Sequence, residues 1–132
     1  MKKLFIDTDV IIDYMKKKSD LLGELILLQD KKEVQLYINP LVLTEYFTDS
    51  SMRNEGKRNK VMEFFAYFTN ISVEPQIGYL AGELMREQII PLVGDAVHAA
   101  TCLNYKLTIV TRNIRHFRNV PGLSIYSGYN ID

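Results

Sequence analysis

Leu4-Phe5-Ile6 is a short apolar run that stops abruptly at Asp7-Thr8-Asp9, the pattern of a buried strand ending at a sheet edge. Val10, Ile11, Tyr14 and Met15 then share a helical stripe closed by Lys16-Lys17-Lys18, a solvated end, and Leu21 to Leu28 predicts a second helix with a leucine-rich face. Val34-Gln35-Leu36-Tyr37-Ile38 alternates apolar and polar positions and predicts a second strand. Asn39-Pro40 opens the helix that carries Glu45, with Pro40 near its first turn. Asn54-Glu55-Gly56 punctuates the chain before an aromatic-rich helix from Lys57 to Asn70, through Val61, Phe64, Phe65 and Phe68, and a brief third strand at Ile71-Ser72-Val73.

A helix from Pro75 to about Ile89 follows, and after Gly94 another from Asp95 to Tyr105, whose Ala96, Ala99 and Ala100 predict close packing. Thr108-Ile109-Val110-Thr111 is continuous and β-branched throughout, a fourth strand. Arg112 to Phe117 forms a turn or short helix, and Leu123-Ser124-Ile125-Tyr126 closes as a fifth strand. Strands alternating with helices predict a mainly parallel sheet. With no repeat, low-complexity segment or linker, residues 1–132 are expected to form one α/β domain.

A chain of 132 residues suits a single core, burying roughly two-thirds of its unfolded surface. Apolar residues at 47% and charged residues at 24% argue against disorder or a fibrous class. Lys plus Arg (16) balances Asp plus Glu (16), so any attraction for nucleic acid must come from local basic patches. Cys102 is the only cysteine, which excludes an intramolecular disulfide and a thiolate-clustered zinc site and favours a reducing compartment, the cytoplasm by default. Met1-Lys2-Lys3 runs at once into Asp7 and Asp9, unlike a signal peptide. No apolar run approaches the ~18 residues of a membrane span, so a soluble protein without membrane contact is expected.

In open parallel sheets, ligand sites gather where strands end, and Asp7 stands where the first strand ends. Taken alone, Asp7 or Asp9 is more simply a helix cap, as is Asp95 after Gly94. Glu45 has apolar neighbours on most sides of its helix, which points to a partly desolvated carboxylate in search of a cation, or equally to an exposed rim position. The three gain weight together. Asp7, Glu45 and Asp95 all lie at the strand-end or helix-start side of successive β-α units, and convergent carboxylates repel unless a cation joins them. Hard divalent ions such as Mg²⁺ and Mn²⁺ prefer oxygen ligands. A bound metal lowers the pKa of its water and stabilises charge developing on a phosphate, which suits hydrolysis. The two histidines, His98 and His116, stand far apart and form no zinc signature.

The stretch Phe5-Ile6-Asp7-Thr8-Asp9-Val10-Ile11-Ile12-Asp13-Tyr14 resembles the opening of the PIN-domain nucleases, particularly the VapC-type toxins of type II toxin–antitoxin systems. Gly94-Asp95-Ala96-Val97-His98-Ala99-Ala100, Ile109-Val110-Thr111-Arg112-Asn113-Ile114-Arg115-His116-Phe117 and Val120-Pro121-Gly122-Leu123 match in order and spacing, so the likeness covers nearly the whole chain. The resemblance implies a three-layer α/β/α sandwich with a mainly parallel five-stranded sheet. It implies catalytic and metal-binding roles for Asp7, Glu45 and Asp95, a weak metal contact at Asn113, Asp9 near the site, and Thr111-Arg112-Asn113 as its far wall.

The activity implied is that of an Mg²⁺- or Mn²⁺-dependent endoribonuclease hydrolysing RNA phosphodiester bonds, acting as a homodimer and held inactive by a cognate antitoxin encoded beside it. The chain departs from the family's pattern at the fourth acid, having Asn113 at one of its usual positions and His116 at the other. Arg112, Arg115 and Arg118 form a local basic set able to contact phosphates without reading bases, although for Arg118 a merely solvated position is equally good. Two alternatives stand beside this reading. One is a PIN-like binding subunit with weakened catalysis, favoured by the missing acid; the other is a haloacid-dehalogenase-like phosphotransferase, suggested only by Asp7-Thr8-Asp9.

Overall fold

Strand β1 (Lys2–Ile6) passes from exposed to fully buried along its length, so the chain enters the middle of the molecule and delivers Asp7 to the far edge of a sheet. The computed structural model describes residues 1–130; the last two residues of the predicted domain lie outside this range. Helices α1 (Thr8–Met15) and α2 (Leu21–Asp30) lead to β2 (Val34–Ile38), and α3 (Pro40–Phe47) and α4 (Glu55–Phe65) lead to β3 (Thr69–Asn70). Helices α5 (Pro75–Arg86) and α6 (Val93–Tyr105) then precede β4 (Thr108–Val110), and the short α7 (Ile114–Phe117) precedes β5 (Ser124–Ile125).

The strands lie in the order β3-β2-β1-β4-β5, and every neighbouring pair is parallel. Central β1 aligns Leu4 with Leu36 on one side and with Thr108 on the other. Crossovers of the right hand usual for parallel strands, from β1 to β2 to β3, place α1–α4 on one face. The return to β4, on the opposite side of β1, reverses direction and lays α5–α7 on the other. The packing follows this division: α1 contacts α2 and α3, whereas α6 contacts α5 and α7. The three-layer sandwich is therefore present, with a sheet that is wholly parallel. Its core runs through Leu4, Phe5, Ile6, Leu36, Ile109 and Val110, all fully buried, and Ala96, Ala99 and Ala100 let α6 lie close against it.

Local chemistry sets most element boundaries. Asn39 caps α3, its Oδ1 accepting from Val42 N at 3.0 Å, and Pro40 occupies the first turn, where its missing N–H costs nothing. Asn54 caps α4 in the same way. The aromatic helix is shorter than predicted, ending at Phe65 rather than Asn70, because the chain turns at Ala66 to drive Phe68 into the core. The third strand accordingly falls at Thr69–Asn70, paired with Tyr37 and Ile38, and not at 71–73. Val73, which supported the later placement, is exposed. Edge strands of two residues each leave little unpaired backbone for another chain to extend. Among the described residues, no helix is long and apolar enough to cross a membrane.

Candidate active site

The sheet changes direction between β1 and β4, and the carboxyl ends of those two strands open the crevice where ligands of parallel sheets are held. Asp7 follows β1 directly, and its backbone N–H still donates to Val110 O at 3.0 Å, so it is fixed to β4 as well. The capping role and the expected site role fall on the same residue. Asp7 is the N-cap of α1; its Oδ1 accepts from Thr8 N at 2.8 Å and its Oδ2 accepts from Thr111 Oγ1 at 2.8 Å. Burial pushes its carboxyl above the usual range and the nearby Asp95 adds to this, outweighing the His98 ring and the bonds from Thr111 and Thr8.

Glu45 lies on the middle of α3, with its side chain 36% exposed at the rim of the crevice. Its Oε1 accepts from Thr8 Oγ1 at 2.6 Å and stands 2.9 Å from His98 Nε2. Burial acts to raise its carboxyl, but these hydrogen bonds prevail and hold it below the ordinary range. Above it, Gly94 comes so close that a Cβ there would sit 2.6 Å from Glu45 Oε2. A side chain at position 94 would occupy the place of the carboxylate.

Asp95 is not a cap. It is the third residue of α6, whose N-cap is Leu92, and its Oδ2 lies 3.0 Å from His116 Nδ1. Asp9, in the first turn of α1, faces the far wall: its Oδ2 accepts from Asn113 Nδ2 at 2.8 Å, and its Oδ1 accepts from Arg112 N at 3.3 Å. Burial, with Asp7 beside it, pushes the Asp9 carboxyl up to about 6. Asn113 thus turns its amide nitrogen toward Asp9.

Arg112 ion-pairs with buried Asp13 at 2.7 Å, which ties one of the expected phosphate-binding cations into the protein. Arg115 and Arg118 are exposed. A cleft of about 290 Å³ beside Glu45 is lined by Ile12, Lys16, Tyr46 and Asp49. A larger hollow of about 650 Å³ between α3 and α4 is apolar and holds none of the acids.

Both histidines join this site, which their separation in the sequence concealed. His98 is 1% exposed and its Nε2 stands 3.9 Å from Asp7 Oδ1 as well as close to Glu45; one ligand atom from each of Asp7, Glu45 and His98 falls within 4.8 Å of the others. The available signal was the spacing of Asp95 and His98, three residues apart and hence on one side of α6. Thr8 and Asn39 also escaped notice, because a hydroxyl or amide among caps gives no pattern. The donor set suits a hard divalent cation: oxygen ligands predominate, and buried carboxyls that hold protons too tightly are what such a charge would relieve.

The chain matches the PIN domain family over residues 4–123. It is 28% identical over 131 residues to Ribonuclease VapC of Rickettsia bellii, spanning 92% of this chain and 93% of that protein. Identity and coverage are the same for Ribonuclease VapC1 of Rickettsia felis. In structure it is similar to a chain of DNA-bound VapBC from Salmonella typhimurium, with a TM-score of 0.79 at 25% identity over 96% of this chain and 98% of the other. VapBC2 from Rickettsia felis, bound to a promoter DNA fragment, gives a TM-score of 0.77 at 24% identity over 94% and 97%.

Proposed function

The chain belongs to the PIN-domain family, and on that premise we propose that it is a metal-dependent endoribonuclease, the toxin of a toxin–antitoxin pair. The observation that carries this reading is the convergence of Asp7 and Glu45, with Asp95 close enough to act on the Asp7 carboxyl, at the switch point between β1 and β4. The relatives named Ribonuclease VapC and the similarity to VapBC chains support it. The family match leaves no place for the phosphotransferase alternative.

Asp7, Glu45 and Asp95 would hold Mg²⁺ or Mn²⁺. When bound, the ion supplies an acidified water and stabilises charge on the reacting phosphate. The remaining tasks fall to side chains of this chain. Thr8 and Thr111 fix one oxygen each of Glu45 and Asp7 by donating hydroxyl protons, so neither carboxylate must reorganise when a cation arrives. Asn113 and the backbone of Arg112 hold Asp9 against the far wall, as an acid near the site. Arg115, exposed on α7, offers its guanidinium to the RNA backbone, and Arg112, half-exposed, does so while anchored to Asp13. The protein works in the cytoplasm as a homodimer, and its cognate antitoxin restrains it by extending a basic side chain toward the carboxylates, replacing the charge of the metal.

The test is incubation of the purified protein with structured RNA, with Mn²⁺, with Mg²⁺ and with EDTA, alongside Asp7→Asn. Metal-dependent cuts absent from the variant are expected. RNA binding without cleavage under any metal would instead indicate a binding subunit. Expression of the soluble protein alone is expected to arrest growth, with relief by a small protein encoded beside it.

A further inference from the structure

We infer that His98 is a positioning residue that presents a fixed Nε2–H to Glu45, and that Asn39 sets this tautomer from behind. The inference rests on the metal-binding role proposed for Glu45. It begins at a helix cap. Asn39 Oδ1 accepts from Val42 N at 3.0 Å, which decides that the amide oxygen points toward the first turn of α3 and the nitrogen points inward. That nitrogen donates to Thr101 Oγ1 at 3.1 Å and faces His98 Nδ1 at 3.5 Å. Thr101 gives its own hydroxyl proton to Val97 O at 2.7 Å, so its oxygen is available to accept from Asn39.

Asn39 Nδ2 carries two hydrogens, and with one engaged by Thr101 the other is directed at the imidazole. A bare Nδ1 accommodates it; an Nδ1–H would set donor against donor in a dry interior. Asn39 and Thr101 are fully buried and His98 is 1% exposed, so exchange with solvent does not relax this constraint. The ring is also steadied by Phe5, with centroids 5.3 Å apart. The proton therefore resides on Nε2, aimed at Glu45 Oε1 over 2.9 Å.

This assignment changes the reading of the cluster. By position, Asp7, Glu45 and His98 could form a mixed nitrogen and oxygen site. A protonated Nε2 has no lone pair for a metal. His98 instead joins Thr8 in holding Glu45 Oε1, which leaves Oε2 for the cation and keeps the donor set all oxygen, the set that Mg²⁺ and Mn²⁺ prefer. Groups that orient ligands in this way typically contribute about 10- to 100-fold to metal affinity.

The test begins with the imidazole nitrogen NMR spectrum of the isotope-labelled, metal-free wild type in mildly alkaline buffer. A protonated Nε2 and a bare Nδ1 are expected for His98; the opposite tautomer overturns the inference. Titration of Mn²⁺ and Mg²⁺ without RNA then compares two variants. His98→Leu is expected to weaken both ions about tenfold or more, while His98→Gln, whose amide N–H can replace the imidazole donor, recovers most of the affinity at an unchanged Mg²⁺-to-Mn²⁺ ratio. Selective loss of Mn²⁺ in His98→Gln would make His98 a ligand and overturn the inference. The spectrum needs neither metal nor RNA, so a wild type that binds no ion would count against the metal site itself while the tautomer is decided separately.

Discussion

The side-chain amide of Asn113 donates to Asp9 Oδ2 over 2.8 Å, so a neutral residue of the far wall is the direct partner of an acid whose carboxyl is already pushed up to about 6. Replacing that donor by a second carboxylate sets two acids against each other. Asn113→Asp is expected to lower the melting temperature of the metal-free protein, and to bind Mn²⁺ more tightly than the wild type because the ion relieves that repulsion. Calorimetric titration and thermal unfolding with and without Mn²⁺ check this. Equal affinity in the two proteins would sink it.

Asp7→Asn, Glu45→Gln and Asp95→Asn are each expected to reduce RNA cleavage by about a hundredfold or more, the loss of a few kcal/mol of metal-linked stabilisation. Stability should hold in Asp7→Asn, whereas Glu45→Gln gives up a carboxylate that its hydrogen bonds favour in the folded state and is expected to melt lower. Asn caps a helix nearly as well as Asp, and Asp7→Asn removes a buried carboxyl whose ionisation burial disfavours. Single-turnover cleavage at saturating Mn²⁺ and thermal melts decide the matter; wild-type rates in all three variants would refute the assignment.

Gly94→Ala separates stability from function. A methyl at this position would lie 2.6 Å from Glu45 Oε2, while Oε1 is held by Thr8 and His98, so the carboxylate must swing away from its bonds. Alanine also favours the helix by up to about 1 kcal/mol relative to glycine. The helix gain offsets part of the cost of those lost bonds, so the variant is expected to melt close to the wild type, yet to bind Mn²⁺ roughly tenfold more weakly, as when a ligand loses its orienting bonds. Unaltered metal affinity would show that Glu45 adapts freely.

The raised carboxyl of Asp9 makes stability depend on pH with a definite sign. Its pKa is about 6 in the folded chain against 3.8 for the free group, so the folded state holds the proton more tightly between these values. The contribution is therefore fully present at low pH and is lost as the pH rises through about 6. Asp9→Asn cannot titrate there. Denaturant unfolding of the metal-free proteins from pH 4 to 7 should show the variant gaining on the wild type as pH rises, across the interval from 3.8 to about 6. A constant difference would contradict this.

Arg115→Ala is expected to weaken RNA binding and flatten its salt dependence by about one counterion, without changing stability. Arg112→Ala should do both: besides losing a phosphate contact, it removes the ion pair to buried Asp13 and lowers stability by about 1 kcal/mol. Filter binding across salt concentrations, with melts alongside, distinguishes the two arginines.

The sequence by itself determined the strand that ends at Asp7, the Asn39-Pro40 helix start and the alternation that makes the sheet parallel, because each is written in neighbouring residues through burial period, capping and proline geometry. It also put forward Asp7, Glu45 and Asp95 as a set, expecting each at the strand-end or helix-start side of a β-α unit, whereas Glu45 stands well inside α3 and reaches Thr8 from there. The short third strand was displaced because the position of Thr69 is fixed by pairing with Tyr37, a long-range contact that local hydrophobicity does not encode. The partners of the acids were likewise decided only by the tertiary structure. His98 meets Glu45 across 53 positions of chain and Thr111 meets Asp7 across 104, because the sheet reverses direction beside β1 and brings together ends of elements that share no local pattern.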